Sequence, residues 1–191
     1  MRLPLIPPDQ LTDEQKPLYA RMKSDIEAKF TGFTAMREDG ALIGPWNPTL
    51  HWPKFGKPWW DYTMALATDS ALPKPVREVA ILVTGARYGA RYELYAHVHV
   101  GEKVGLAEDK IATIVAGERP TNLSREEAVA FDVAASLVKG GILPKATYRA
   151  AVETFGEDGA AELMYLIGGY CLVCVILNAF DVPVPELDDS E

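Results

Sequence analysis

Cysteine and basic side chains are scarce in this sequence. Two cysteines among 191 residues exclude a disulfide-stapled scaffold. Lysine and arginine together number 19 against 27 aspartate and glutamate residues, which gives a net charge of −8. No basic stripe exists to neutralise phosphates, so the composition argues against nucleic acid as a partner and against an anionic membrane surface.

Long apolar runs are also few. The longest, Leu163–Phe180, is borderline in length for a membrane span, contains two glycines and an asparagine, and lacks basic flanks. We interpret it as a buried helix. The sequence shows no charged start followed by the apolar core of a signal peptide, so we expect a protein of a bacterial-type cytoplasm.

Apolar residues at helical spacing dominate the rest of the chain. Hydrophobic residues make up 48% of the sequence, and a chain of this size buries roughly 70% of its unfolded surface. The helical pattern covers residues 11–30 and continues from Trp59 to Phe180, and Ser124 with Glu127 has the spacing of a capping box. The sequence therefore predicts an all-α fold, a helical bundle with a loop-rich N-terminal extension.

The segment Thr31–Pro58 has a different character. Glycines and prolines recur through it among Phe33, Trp46 and Trp52. Such punctuation predicts no long regular element, whereas the aromatic side chains predict an ordered, packed loop of the kind that is usually functional. We divide the chain into the extension (residues 1–58), a helical domain (residues 59–181) and an acidic tail (residues 182–191).

Two local patterns resemble a dinucleotide-binding motif and a redox motif, but each lacks features that its motif requires. Gly85-x-x-x-Gly89 after a β-branched run is similar to a dinucleotide-binding turn, but Arg91 stands where a third glycine is needed. We interpret it as a helix that loosens at the glycines. Cys171 and Cys174 have the spacing of a redox dithiol, but they lie in an apolar run without a cation or histidine to stabilise a thiolate. We interpret them as core residues.

Glu93 and His97 are the most informative pair. Four residues apart on a helix, they lie side by side, and a carboxylate beside an imidazole can fix its tautomer and raise its pKa. Such a pair is either an acid–base unit or an ordinary surface ion pair. His99 lies about 200° around the helix from His97, so the two histidines do not chelate one ion, and we predict no metal site.

The pattern resembles the carboxymuconolactone decarboxylase family, an all-α superfamily that includes the AhpD-like alkylhydroperoxidases. Glu78 and His97 are nineteen residues apart, as in the peroxidatic branch, but Ala90 and Glu93 replace the two cysteines of that branch. Tyr92-Glu93-x-x-x-His97 is similar to the decarboxylase branch, which shows the same departure. The resemblance covers about residues 59–181 and implies an AhpD-like helical bundle.

The resemblance implies an enzyme that needs no cofactor. The reaction that names the family removes CO2 from a lactone acid of aromatic breakdown, 4-carboxymuconolactone, and leaves a dienolate that must be protonated. By this resemblance His97 is the proton shuttle, Glu93 orients it, and Glu78 is a second acid–base group or a positioning partner. The partners implied are a small-molecule substrate and further copies of the chain, in a trimer or hexamer.

The same reaction implies the substrate-binding residues. An anionic substrate requires a nearby cation, for which three arginines are candidates, and the extension is expected to roof the pocket. The candidates are Arg77, Arg87, Arg91, Tyr92, Trp46, Asn47 and His51.

Two alternatives remain open from the sequence. The first is an AhpD-like, peroxide-reducing activity, which requires Cys171 and Cys174 to have taken over the role of the missing thiols. The second is a non-catalytic oligomeric protein that binds a small molecule in the same pocket.

Overall fold

The computed structural model describes residues 1–185, and within them the fold is all-α, which confirms the predicted fold class. A short 3-10 turn at Pro8–Gln10 precedes the helices, and one isolated antiparallel bridge joins Met36 and Leu42. The helices of this part of the chain are α1 (Gln15–Lys29), α2 (Trp46–His51), α3 (Pro53–Ala67), α4 (Lys74–Tyr88), α5 (Arg91–Lys103), α6 (Glu108–Val115), α7 (Arg125–Leu137) and α8 (Lys145–Ala179).

Local sequence signals account for several helix ends. The Ser124 hydroxyl accepts a hydrogen bond from the Glu127 backbone N–H at 3.2 Å, and the Glu127 carboxylate accepts one from the Ser124 N–H at 2.7 Å, which is the predicted capping box of α7. Helix α4 carries Pro75 in its first turn, where the missing N–H costs little. It ends at Gly89, whose φ of 59° is the left-handed conformation that glycine adopts most readily.

The prediction of no long helix between residues 31 and 58 is wrong at its C-terminal end. Helix α3 begins at Pro53 and continues through Pro58 to Ala67. Proline at the first helical position is compatible with a helix, and the backbone N–H groups of Phe55 and Gly56 both bond to the Trp52 carbonyl in the first turn. The boundary placed at residue 58 therefore falls inside a helix.

Helix α8 consists of two helical segments joined at Gly156, which has φ 72° and ψ 176°. It is the one helix of residues 1–185 that is long and apolar enough by composition to cross a membrane. One face, including Leu163, Leu166 and Leu177, is buried in the core. The opposite face is exposed, so the interpretation as a buried helix holds for one side only.

Helix α4 lies at the centre of the helical domain and packs against α5, α6, α7 and α8. Its Val79, Ala80 and Leu82 are fully buried. A second core cluster joins α1 and α3 to the extension around Met22, Leu42 and Trp60. Residues 186–191, which form most of the predicted acidic tail, lie outside the described residues.

Candidate active site

The turn at Gly89 folds α5 back against α4 and brings Glu78 to His97. His97 Nδ1 lies 2.7 Å from Glu78 Oε2, although nineteen residues separate them. A carboxylate only accepts hydrogen bonds, so Nδ1 is the donor of this pair. The sequence predicts Glu93 as the carboxylate that orients the ring, but the aligned hydrogen bond comes from Glu78.

Glu93 lies one turn before His97 on α5 and approaches the other ring nitrogen. Glu93 Oε1 is 3.2 Å from His97 Nε2, in an ion-pair contact that is not aligned as a hydrogen bond. The side chains of Glu78, Glu93 and His97 are 8%, 4% and 14% exposed. The alternative of an ordinary surface ion pair is therefore wrong, because all three ionisable groups are buried together.

Burial and proximity shift the pKa of both partners on α5. Burial raises the pKa of Glu93, the charge of His97 opposes that rise and the charge of Glu78 adds to it, so the pKa is about 7. Burial alone would lower the pKa of His97, but the charges of Glu78 and Glu93 outweigh it and raise the pKa to about 9. Near neutral pH His97 therefore carries its proton, while Glu93 is close to its titration midpoint.

Glu93 and His97 form part of the wall of a mostly apolar cavity of about 70 Å³. Glu78 is not part of that wall, because it contacts the imidazole from behind. The remaining wall is largely aromatic and comes from the extension and from α3, α4, α5 and α8. It includes Phe30, Phe33, Trp46, Trp59, Tyr62, Tyr92 and Tyr170.

Tyr170 of α8 contacts the imidazole directly. Its ring meets the His97 ring edge to face, with centroids 5.1 Å apart. Burial, followed by the nearby carboxylates Glu93 and Glu78, raises the pKa of Tyr170 well above its ordinary value. The phenol therefore keeps its proton and is a fixed hydrogen-bond donor beside the acid–base groups.

Arg77 is the arginine that lines the cavity. Its Nη1 donates to Glu162 Oε1 at 2.9 Å and its Nη2 to the Leu66 carbonyl at 2.7 Å. Glu162 also accepts from the Ser70 hydroxyl and, at 2.9 Å, from the Ala71 backbone N–H. These contacts fix the guanidinium at the edge of the cavity.

Two polar atoms of wall residues are buried without an aligned hydrogen-bond partner. They are Trp46 Nε1 and Glu93 Oε1. Trp46 is 4% exposed and is held by stacking on Phe33 and by an edge contact with Tyr92, whose hydroxyl donates to the Thr34 carbonyl at 2.7 Å. A buried N–H without an acceptor is costly, which marks a place where a ligand oxygen would be stabilised.

The structure places four of the predicted binding residues away from the cavity. Arg87 is exposed on the far side of α4, and Arg91 is exposed and pairs with Asp181 at 3.3 Å. The Asn47 amide and a His51 ring nitrogen both contact the Pro4 carbonyl, at 3.1 and 2.9 Å, so they hold the N-terminal segment of the extension. Arg77, Tyr92 and Trp46 do line the cavity.

Sequence reasoning missed Tyr170, Glu162 and the aromatic residues of α1 and α3. Tyr170 lies in an apolar run, where nothing marks it as different from a core residue. Phe30 stands at the end of an amphipathic helix with no polar neighbour to reveal it. These contributions are set by tertiary packing, and no local spacing encodes them.

The two cysteines lie outside the cavity wall. Cys171 is partly buried and Cys174 is fully buried. Burial, with a smaller effect of the Glu93 charge, raises the pKa of the Cys174 thiol far above its ordinary value, so it is not a thiolate near neutral pH. Within residues 1–185 no group of three or more His, Cys, Asp or Glu side chains has the arrangement of a metal site.

Comparison with known proteins links this fold to one family. Residues 53–136 match the model of the carboxymuconolactone decarboxylase family. No curated protein shows significant similarity to the chain. The fold is similar to that of the debrominase Bmp8, both as a cysteine-to-alanine variant in complex with 2,3,4-tribromopyrrole (14% identity) and in its apo form (12% identity). Each match has a TM-score of 0.67 and covers 91% of this chain and 87% of the other.

Proposed function

Because this chain belongs, through residues 53–136, to the carboxymuconolactone decarboxylase family, we propose that it is a cofactor-free acid–base enzyme that decarboxylates a compact cyclic acid or lactone. The observation that carries the proposal is the buried cluster of Glu78, His97 and Glu93, two of whose members line an apolar cavity. Perturbed ionisable groups in such a cavity are typical of catalytic sites.

The contacts support a separate role for each member of the cluster. Glu78 fixes the ring and its tautomer through Nδ1 and does not reach the cavity, so it is a positioning residue. Glu93 and the Nε2 side of His97 face the substrate. Either group can pass a proton to carbon, and the imidazolium stabilises negative charge that develops nearby.

The proposed reaction consumes one proton. The bond between a ring carbon and its carboxylate breaks, CO2 leaves, and the electron pair is delocalised into the ring carbonyl as an enolate. A proton then moves from the Glu93–His97 pair to a ring carbon, and solvent restores it once the product has left. Aromatic walls exclude other proton sources and so direct where the proton goes.

Charge in the cavity limits the substrate to few anionic groups. Arg77 is the arginine of the wall, and it already forms an ion pair with Glu162 at 2.9 Å. The cavity volume of about 70 Å³ is smaller than the roughly 150 Å³ of a cavity that binds benzene, so it favours a compact substrate with no more than one small ring. The bound molecule of the similar debrominase structure, 2,3,4-tribromopyrrole, is likewise a single five-membered ring.

The proposal is tested by incubating the protein with 4-carboxymuconolactone, and with a panel of five- and six-membered cyclic monocarboxylic acids, in D2O. We expect CO2 release and deuterium at a single ring carbon by NMR, with the rate reduced by about 10²–10⁴-fold in His97→Ala. His99→Ala is the matched control, because His99 lies on the same helix but packs on Tyr95 outside the cavity.

Lack of turnover across the whole panel would contradict the decarboxylase. Ligand binding that persists in His97→Ala without any turnover would instead favour the non-catalytic binding protein. A thiol peroxidase is disfavoured, because no cysteine of the described chain lines the cavity. A thiol peroxidase would reduce a hydroperoxide with the natural chain and lose that activity in a Cys171→Ser and Cys174→Ser double variant, which should keep the decarboxylase activity.

A further inference from the structure

The exposed face of α8 carries a continuous stripe without charge. Its six residues, which we call the α8 stripe, are Ala161, Tyr165, Gly168, Leu172, Val175 and Ala179. All six are exposed, and the three large ones, Tyr165, Leu172 and Val175, are 65%, 46% and 49% exposed. An exposed apolar run of this length on a well-formed helix marks an interaction surface.

The α8 stripe has the periodicity of a coiled-coil seam. Its members alternate at spacings of four and three residues from Ala161 to Ala179. At 100° per residue they fall within about 80° of arc, and the stripe is about 27 Å long. This is the a/d pattern through which two helices pack side by side with knobs in holes.

We propose that a second copy of this chain packs antiparallel on the α8 stripe. The six positions are symmetric about residue 170, so antiparallel pairing opposes Tyr165 with Val175, Leu172 with Gly168, and Ala161 with Ala179. Each central pair sets a larger side chain against a smaller one. A two-fold contact requires such self-complementarity, which a membrane or an unrelated partner does not.

Charges at the two ends of the α8 stripe fit the same arrangement. Glu157 and Asp158 are exposed just before its N-terminal end. At its C-terminal end Arg2 donates to the Ala179 carbonyl at 2.8 Å, and the exposed Arg91 pairs with Asp181. Antiparallel packing places the acidic end of one copy beside the arginines of the other, which favours that orientation.

The contact lies directly behind the cavity. Tyr170 lines the cavity from the opposite face of α8, and the Tyr62 hydroxyl, also in the cavity wall, donates to the Tyr165 carbonyl at 2.7 Å. A second copy on the α8 stripe therefore braces the helix that holds Tyr170 against His97. Such a contact occurs in a dimer or a hexamer with two-fold axes, but not in a cyclic trimer.

The first test measures mass in solution by light scattering during gel filtration at about 100 µM protein. We expect an even-numbered oligomer for the natural chain and at least a tenfold weaker association for Leu172→Glu, which buries two carboxylates near the two-fold axis. Ile142→Glu is the control, since Ile142 is 98% exposed and lies away from the stripe. Far-UV circular dichroism verifies that both variants stay helical.

The second test fixes the orientation. Tyr165→Cys mixed with Val175→Cys should form a disulfide-linked dimer on mild oxidation. Tyr165→Cys alone should not, because antiparallel copies offset the two residues by about 15 Å. The natural chain, oxidised in the same way, shows how much disulfide-linked dimer forms through Cys171 and Cys174.

Four outcomes would overturn the proposal. These are a monomeric natural chain, association unaffected by Leu172→Glu, rapid cross-linking of Tyr165→Cys with itself, and sedimentation of the natural chain with phosphatidylcholine vesicles.

Discussion

Glu78 accepts a hydrogen bond from His97 Nδ1 at 2.7 Å across the α4–α5 pair. The bond holds the imidazole from the side away from the cavity. The carboxylate that accepts the Nδ1 proton is therefore that of Glu78, whereas the carboxylate that shares the cavity with the ring is that of Glu93. The chemistry of the site depends on this division between Glu78 and Glu93.

Replacing Glu78 with Gln should lower the pKa of His97, because the negative charge beside the ring is lost while the shape is kept. We expect kcat to fall by about 10²-fold with a smaller change in KM. NMR titration of the His97 ring protons measures the shift. Glu102→Gln is the control, because Glu102 is an exposed carboxylate on the same helix as His97. An unchanged His97 titration would refute the positioning role.

Glu93 should set the pH dependence of turnover. Its pKa is about 7, raised by burial, so its protonated form is the proton donor below that pH and is lost above it. We expect kcat to decline above a midpoint near pH 7. In Glu93→Gln the residual activity should no longer show that midpoint. A variant that keeps the same pH profile would assign the titration to another group.

Stability should fall as pH rises from 5 to 9. Between about pH 4.5 and 7 the folded chain keeps a proton on Glu93 that the unfolded chain has released, and His97 behaves likewise between about 6.5 and 9. Proton release on unfolding makes the free energy of unfolding decrease with pH in both windows. Calorimetry at pH 5, 7 and 9 should show a Tm lower by several degrees at each step. In Glu93→Gln the free energy of unfolding should change less between about pH 4.5 and 7. An unchanged pH dependence in that range would contradict its assignment to Glu93.

Trp46→Phe should separate activity from stability. The change removes the buried, unpartnered Nε1–H, so we expect the free energy of unfolding to change by less than about 1 kcal/mol. If Nε1 donates to a substrate oxygen, kcat/KM falls by about tenfold. Trp59→Phe shortens another indole of the cavity wall and controls for ring size. Equal losses in both variants would argue against a hydrogen bond from Trp46.

Gly44→Ala should disturb the extension where it meets the cavity. Gly44 has φ 62°, and an added Cβ would lie 2.4 Å from Tyr92 Cε1. We expect a loss of about 2–4 kcal/mol in urea unfolding, from backbone strain together with overpacking. Gly105→Ala shares the positive φ, at 87°, but meets no atom within 4 Å, so it should lose only about 1–2 kcal/mol. Equal losses would show that the contact with Tyr92 is unimportant.

Periodicity is sufficient to predict α1 and the helices that follow residue 59, because each buries one face at a fixed repeat. The capping box of α7 and the glycine end of α4 follow from neighbouring residues alone. The sequence places the start of α3 too late, because prolines usually interrupt regular elements. Pro53 instead occupies the first position of the helix, where a proline fits well.

The acid–base part of the candidate site was predictable because its members follow a local or a family spacing. Glu93 and His97 share one helix face, and Glu78 was identified through a family spacing. The arginines show the limit. Arg87 is ten residues beyond Arg77 on α4, about 15 Å along the axis and rotated by about 80°, so both cannot reach one cavity. Tyr170 comes from a distant helix, and only the packing of α8 against α5 brings it to His97.

The cavity wall has three origins along the chain. Arg77, Glu93 and His97 come from α4 and α5, inside the stretch that matches the family, whereas Phe30, Phe33 and Trp46 precede that stretch and Tyr170 follows it. Part of the shape of the cavity is thus encoded outside the stretch that carries the acid–base groups, and the two can diverge independently during evolution. Exchanging the first 52 residues between relatives would be expected to transfer substrate preference while leaving the proton transfer machinery in place.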